Sequence, residues 1–267
     1  MFEHQARKRF GQNFLVDEQI IGRIVRAIQP KPDDNLVEIG PGQGAITAPL
    51  LSACPRLQVV ELDRDLVPQL AARFSAYPEF KIHEADALAF DFRQLAASGP
   101  LRVVGNLPYN ISTPLLFHLL ESREHIRDMH FMLQKEVVER LAAEPGSGDY
   151  GRLSIMCQYH CRVEYLFDVG PHCFRPAPKV DSAIVRLTPH SPLPLVAQDT
   201  DLLETLVKTA FQQRRKTLRN ALRQWLPDAT VLAQLAIDPQ QRPENLTVRD
   251  YVNLANYLQS QRLSTGG

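Results

Sequence analysis

Five short apolar runs, most of them followed by a stretch of helical period, limit what this chain can fold into more than any other feature. "NLVEIG" at 35–40, "QVVELD" at 58–63, "KIHEAD" at 81–86, "RVVGNLP" at 102–108 and "DMHFMLQ" at 128–134 read as strands. "AITAPLLSA", a segment through about Ala76, "TPLLFHLLES" and "KEVVERLAA" read as helices between and after them. Strands that are apolar on both faces need cover on both faces. Strands alternating with helices supply it as a mostly parallel sheet between helical layers. Ahead of the first strand, "VDEQIIGRIVRAI" reads as a helix that Asp17 can cap, with Ile20, Ile21, Ile24, Val25 and Ile28 in one stripe. "EYLFDV" and "SAIVRLTP" lie close together near residue 175, which predicts an antiparallel edge.

The three prolines of "TPHSPLPLV", 188–196, read as a linker. They divide the chain into an α/β domain, 1–188, and a small all-helical C-terminal domain, 197–267. In the second part, Leu203, Val207, Phe211, Leu218, Leu222 and Trp225 fall near one face of a helix over 203–225. Arg215, Lys216, Arg219 and Arg223 fall on another. A last helix over 248–259 begins at Thr247, with Asp250 placed for a capping box.

The 267 residues, 44% of them hydrophobic, suffice for one large domain and one small one. No apolar run reaches the roughly 18 residues of a membrane span. The basic opening "MFEHQARKRFGQNFL" lacks the apolar core of a signal peptide. The expectation is a soluble, cytoplasmic protein with no membrane partner. Four cysteines in such a chain argue against a disulfide framework. Cys157-x-x-x-Cys161 beside His160 reads as thiols on one helix face rather than a metal site, because no second ligand pair of zinc spacing accompanies it. No metal is expected. The formal net charge is zero, yet no acid occurs between Thr205 and Pro227. Lys208, Arg214, Arg215, Lys216, Arg219 and Arg223 all lie there, and Arg7, Lys8 and Arg9 form a second basic cluster. Both are candidate phosphate contacts, with a plain solvated face as the alternative.

Ligands of open parallel sheets bind beyond the carboxyl ends of the strands. Four such ends carry unusual residues here: Gly40-Pro41-Gly42-Gln43-Gly44, then Glu61-Leu62-Asp63, then Asp86, then Asn106-Leu107-Pro108-Tyr109. The glycines let a ligand approach the backbone. Glu61 stands at the spacing from Gly40 at which an acid grips both hydroxyls of a ribose. The spacing G-x-G-x-G is not the G-x-G-x-x-G of a dinucleotide site, so S-adenosylmethionine, with a ribose and an adenine but no phosphate, fits better. Asp86 could then accept from the adenine amine. Asn106 answers a chemical need. The amine of an aromatic base is a poor nucleophile because its lone pair is delocalised into the ring. The Asn106 side-chain oxygen and the Leu107 carbonyl can accept its two hydrogens and draw the nitrogen toward tetrahedral geometry. Pro108 fixes that backbone, and Tyr109 offers a face on which the base can stack. Ordinary strand-to-helix turns are the plain alternative for both loops.

These residues are joined by longer matches. "ARKRFGQNFL" (6–15), "VEIGPGQGAIT" (37–47), "VELD" (60–63), "EADAL" (84–88), "GNLPYNISTPLLFHLL" (105–120), "HFMLQKEVVERL" (130–141), "YGRLSI" (150–155), "FRPAPKVDSAIVRL" (174–187), "AFQQRRKTLRNAL" (210–222) and "PENLT" (243–247) follow in order. The chain resembles the ribosomal RNA adenine dimethyltransferase family, in its bacterial small-subunit branch, along nearly its whole length. The resemblance implies a Rossmann-like S-adenosylmethionine methyltransferase sheet and a helical RNA- or ribosome-binding domain. It implies dimethylation of two adjacent adenosines in a hairpin loop near the 3′ end of small-subunit ribosomal RNA. The implied partner is that RNA or the immature 30S subunit, met by a monomer. Family cofactor positions match at Asn13, Leu15, Gly40, Glu61, Asp86 and Asn106, and Gly42 belongs to the same loop. Phe174 matches a second aromatic, which would hold the target base against Tyr109; a core role is its alternative. The rivals are a large-subunit relative of the resistance type and an assembly factor whose catalysis is incidental. "RRKTLRNAL" favours the small-subunit branch.

Overall fold

Each of the five apolar runs is a strand in the computed structural model, which describes residues 13–226 and 230–265. Numbering from the short β1 (Phe14–Leu15), they are β2 (Asn35–Ile39), β3 (Gln58–Glu61), β4 (Lys81–Glu84), β5 (Leu101–Asn106) and β6 (Ile126–Gln134). The chain forms β2, moves outward to β3 and β4, then returns to place β5 on the other side of β2. All these pairings are parallel. The order therefore reverses between β2 and β5, which is where an open sheet leaves a crevice. β9 (Ser182–Pro189) pairs antiparallel with β6, Phe131 opposite Val185, and β7 (Cys161–Val169) flanks β9 at the sheet's edge.

The helices do what their patterns require. In α1 (Glu18–Ile28), Ile21, Ile24 and Ile28 are buried, and the Asp17 side chain accepts from the Gln19 and Ile20 N–H groups. That satisfies two of the four N–H groups a helix start leaves unpaired. α2 (Thr47–Ala53), α3 (Val67–Arg73), α4 (Ser112–Glu121) and α5 (Lys135–Ala142) follow β2, β3, β5 and β6 in turn. A 3-10 stretch, Phe92–Ser98, takes the crossover after β4. Leu36, Val37, Val59, Val103 and Val104 are buried, as strands covered on both faces must be. The sequence carries no sign of the ribbon in which Leu15 of β1 stands opposite Phe174 of β8 (Phe174–Arg175), because two-residue strands have no period.

The compact units do not follow the proline linker alone. One contains residues 1–138 and 163–189; the other contains 139–162 and 190–267. The break at 189/190 falls in the proline linker, and the second unit also takes in the segment over 139–162. Its helix α6 (Arg152–His160) buries Leu153, Ile155, Met156 and Tyr159 and packs against α7 (Thr200–Gln212) and α10 (Val248–Thr265). A helix apolar on most of its surface has to be enclosed, and the second unit encloses it. Cys157 lies in α6, but Cys161 opens β7, so the two do not share a helix face as expected. All four cysteines are buried free thiols. The capping box at Thr247 forms, with Asp250 N–H donating to Thr247 Oγ1 at 3.2 Å and Thr247 N–H to Asp250 Oδ2 at 2.8 Å. The single helix expected over 203–225 is broken. α7 stops at Gln212, and α8 (Leu218–Ala221) starts after a turn. The Leu218 and Arg219 N–H groups donate to the Gln241 and Pro239 carbonyls, which ends any continuation from α7. α9 (Thr230–Gln234) precedes the last helix. No helix of the described residues is long and apolar enough to cross a membrane.

Candidate active site

The loop after β2 is held open by its own backbone. Gly42 sits at φ +57°, where a side chain is strained, and a Cβ there would stand 3.2 Å from the Phe14 ring. Its N–H donates to Glu61 Oε2 at 3.3 Å, while Glu61 Oε1 accepts the Asp63 N–H at 2.8 Å. One carboxylate at the end of β3 therefore ties the first loop to the second. Gly105, one residue before the tip of β5, would put a Cβ 2.6 Å from the Ile39 carbonyl oxygen. Only a glycine lets β5 close on β2 there, and this brings Asn106 up to the Gly40 loop.

Asn106 donates its Nδ2 to the Asn13 carbonyl at 3.2 Å. A carbonyl can only face the amide nitrogen, so this bond fixes which way the side chain is flipped and turns Oδ1 away as an acceptor. The Leu107 N–H is committed to the Met132 carbonyl at 3.2 Å, and Ser112 Oγ donates to the Tyr109 carbonyl at 3.1 Å. The Tyr109 hydroxyl lies 2.7 Å from Ser182 Oγ. Asp86, past β4, is exposed and accepts the Leu88 N–H through Oδ1 at 2.9 Å.

These ends enclose one cavity of about 350 Å³. It gathers Asn13, Leu15, Gly40, Gly42, Glu61, Asp86, Asn106, Leu107, Pro108 and Tyr109. Phe174 is not among its lining residues. It is 1% exposed and belongs to the same core cluster as Leu15. Its pairing in the β1–β8 ribbon turns the ring inward. Two acids to which sequence reasoning gave no role also line the wall, Glu38 and Asp63. Glu38 had a signal: a charged residue inside an otherwise apolar strand covered on both faces.

The cavity's charge is one-sided. Glu38, Glu61, Asp63 and Asp86 line it, with no Lys, Arg or His among the described lining residues. Burial pushes the Glu38 carboxyl up to about 7; a 2.6 Å bond from Thr47 Oγ1 opposes this, and the nearby Glu61 adds to it. Burial also raises Glu61, against the Asp63 and Gly42 N–H bonds that favour its ionised form. Carboxylates that resist ionisation for want of a counter-charge suit a cationic ligand and oppose a diphosphate. The donor set therefore fits S-adenosylmethionine: acids for its positive groups, a carboxylate at ribose spacing, and apolar walls for an adenine.

The basic clusters divide. Arg7, Lys8 and Arg9 lie outside the described residues. Arg215, Lys216, Arg219 and Arg223 are exposed, on the turn after α7, on α8 and just past it, rather than along one helix face. Arg214 turns inward. It donates to the Gly148 carbonyl and pairs with Glu244 at 3.5 Å. One three-donor group stands elsewhere among the described residues, Asp17, His172 and Cys173. Asp17 is already used as the cap of α1, and its Oδ2 takes a 3.8 Å bond from the Cys173 thiol.

The family model described as ribosomal RNA adenine dimethylase matches residues 3–260. A ribosomal RNA small subunit methyltransferase A of Marinobacter nauticus is 64% identical over 255 residues, covering 96% of this chain and 92% of that protein. The protein of the same name in Saccharophagus degradans is 65% identical over 256 residues, covering 96% and 95%. Among solved structures, a dimethyladenosine transferase from Plasmodium falciparum matches with a TM-score of 0.81 at 27% identity, over 93% of this chain and 98% of that one. The 23S rRNA methyltransferase ErmE matches with a TM-score of 0.71 at 25% identity, over 92% and 100%.

Proposed function

The chain belongs to the ribosomal RNA adenine dimethylase family, and on that footing we propose that Asn106 receives the target adenine's amine at a cavity holding the methyl donor. The protein is an S-adenosylmethionine-dependent adenine dimethyltransferase acting on ribosomal RNA. Bound S-adenosylmethionine supplies a methyl group on a sulfonium, a good leaving group that needs no acid. Everything else falls to the chain's own side chains. Glu61 holds ribose hydroxyls, Asp86 the adenine amine, and the Gly40–Gly42 loop the close approach of the backbone. Leu15 of β1 and Asn13 just before it close the cavity. Asn106 Oδ1 and the Leu107 carbonyl accept the two N–H groups of the target amine, Pro108 fixes that carbonyl, and Tyr109 stacks the base. Catalysis is positioning and fixed dipoles, and the methylated amine loses its proton to water.

One observation carries this reading: the Asn106 amide nitrogen is committed to the Asn13 carbonyl, which leaves the side-chain oxygen to act as the acceptor of a residue that lines the cavity. Asn106→Ala should cut single-turnover methylation by about a hundredfold or more, the scale of a lost transition-state acceptor, with RNA affinity unchanged. Near-normal turnover would remove Asn106 from the chemistry.

The finer substrate we propose is a pair of adjacent adenosines in a hairpin near the 3′ end of small-subunit RNA, met by a cytoplasmic monomer on the immature 30S subunit. Relatives at 64% and 65% identity carry small-subunit names, against 25% for the large-subunit enzyme. A loop base is already partly unstacked, so presenting it costs little. Arg215, Lys216, Arg219 and Arg223 serve as phosphate contacts. Reversing Arg215, Lys216 and Arg219 together should lower the slope of log affinity against log salt by roughly 0.7–0.9 for each phosphate no longer neutralised. An unchanged slope would return them to plain surface.

A further inference from the structure

We infer that Ser182 is a positioning residue that sets the stacking face of Tyr109, an inference that rests on the base-stacking role proposed above. Tyr109 lies on the turn between β5 and α4, where a ring with two free torsions has no reason to keep one plane. Two bonds deny it that freedom. Its carbonyl is held by Ser112 Oγ at 3.1 Å, and its hydroxyl meets Ser182 Oγ at 2.7 Å.

The anchor is more rigid than the residue it holds. Ser182 is fully buried and opens β9, opposite Gln134 of β6 in the antiparallel ladder. The residue before it is tied as well, the Asp181 carbonyl accepting the Lys135 N–H at 2.9 Å. The central sheet therefore fixes Ser182, and Ser182 fixes the far end of the ring. Tyr109 is half-buried, and burial raises its phenol while the Ser182 bond opposes that rise. Without the bond to Ser182 the far end of the ring loses its tether, and the ring no longer holds one face to the cavity wall.

The test uses the full-length protein, a target RNA hairpin and S-adenosylmethionine, with four variants: Tyr109→Ala, Tyr109→Phe, Ser182→Ala and the double variant Tyr109→Phe/Ser182→Ala. Tyr109→Ala should abolish most turnover. Tyr109→Phe and Ser182→Ala should each lower kcat by about five- to tenfold, the scale of one broken hydrogen bond, with cofactor affinity unchanged. The double variant should be no slower than either, because both changes remove one bond. Ser182→Thr, which keeps the hydroxyl, should recover turnover. If Ser182→Ala proves poorly folded, Tyr109→Phe removes the same bond from the other end. Normal turnover in Tyr109→Ala would remove the stacking role and the inference with it. Loss in Tyr109→Ala, but effects of Tyr109→Phe and Ser182→Ala that multiply in the double variant, would overturn the positioning role alone.

Discussion

The two ends of the central sheet both bury acids, and they treat them in opposite ways. At the amino end, Asp34 precedes β2 and Asp128 lies in β6, with Arg102 of β5 reaching both at 2.6 and 3.0 Å. Arg102 also donates to the Ile28 and Gln29 carbonyls, and Arg127 adds a second cation 3.3 Å from Asp34. Burial opposes the charge on Asp34, but the Arg102 bond and charge, the Lys31 N–H and Arg127 outweigh it and hold the carboxyl below its ordinary range. At the carboxyl end, Glu38 and Glu61 are as deeply buried and meet no cation among the described residues, and both rise. A buried acid with its arginine is a finished piece of structure. A buried acid facing a cavity without one stores an unmet demand for positive charge, which a cationic cofactor meets.

Removing the cation is the harshest way to break this comparison. Arg102→Met should cost about 3–5 kcal/mol in urea unfolding, because it strands two acids in the interior. A loss below about 1 kcal/mol would mean that the amino-end network is not what keeps Asp34 and Asp128 tolerable.

Glu38 gives the next largest effect, with the opposite sign. Its folded carboxyl titrates above its unfolded value, so the folded state holds the proton more tightly. The penalty is absent below the ordinary 4.5, grows as pH rises through about 7, and is constant above that. At about 1.4 kcal/mol per pH unit the gap amounts to roughly 3 kcal/mol at most. Glu38→Gln should therefore stabilise the cofactor-free protein at pH 8 and leave it nearly unchanged at pH 4.5. The comparison has to be between variants at each pH. Burial pulls His130 down to about 4, so His130 contributes stability that is lost as pH falls from about 6.5 toward 4, which masks the slope from Glu38. No difference between the two proteins at pH 8 would show that Glu38 is not strained by its surroundings.

The mildest change, Glu61→Ala, acts on binding. It removes a charged acceptor from the ribose position, and S-adenosylmethionine should bind about 10- to 100-fold more weakly by calorimetric titration, with RNA affinity unchanged. Equal cofactor affinity would take Glu61 out of the site, and with it the idea that this end of the sheet waits for a ligand.

Much of this could be read from the sequence, for a physical reason. Period and turn chemistry are local, so "NLVEIG", "QVVELD" and "RVVGNLP" declare strands, and the glycine loop and Asn-Leu-Pro-Tyr declare unusual strand ends. The switch-point rule then places those ends together, because any sheet of this order has its crevice there. What the sequence could not supply were facts set by long-range contact. Phe174 turned inward because a two-residue ribbon with β1 decides its face. The segment over 139–162 joined the helical unit because α6 needs enclosing on most of its surface. The basic stretch broke at Gln213 because the Gln241 and Pro239 carbonyls took the N–H groups of α8. The fate of the acids was settled the same way. Asp34 and Glu38 stand four residues apart, one just before β2 and the other near its carboxyl end, and only the packing of β5 brought Arg102 to the first and left the second facing an open cavity.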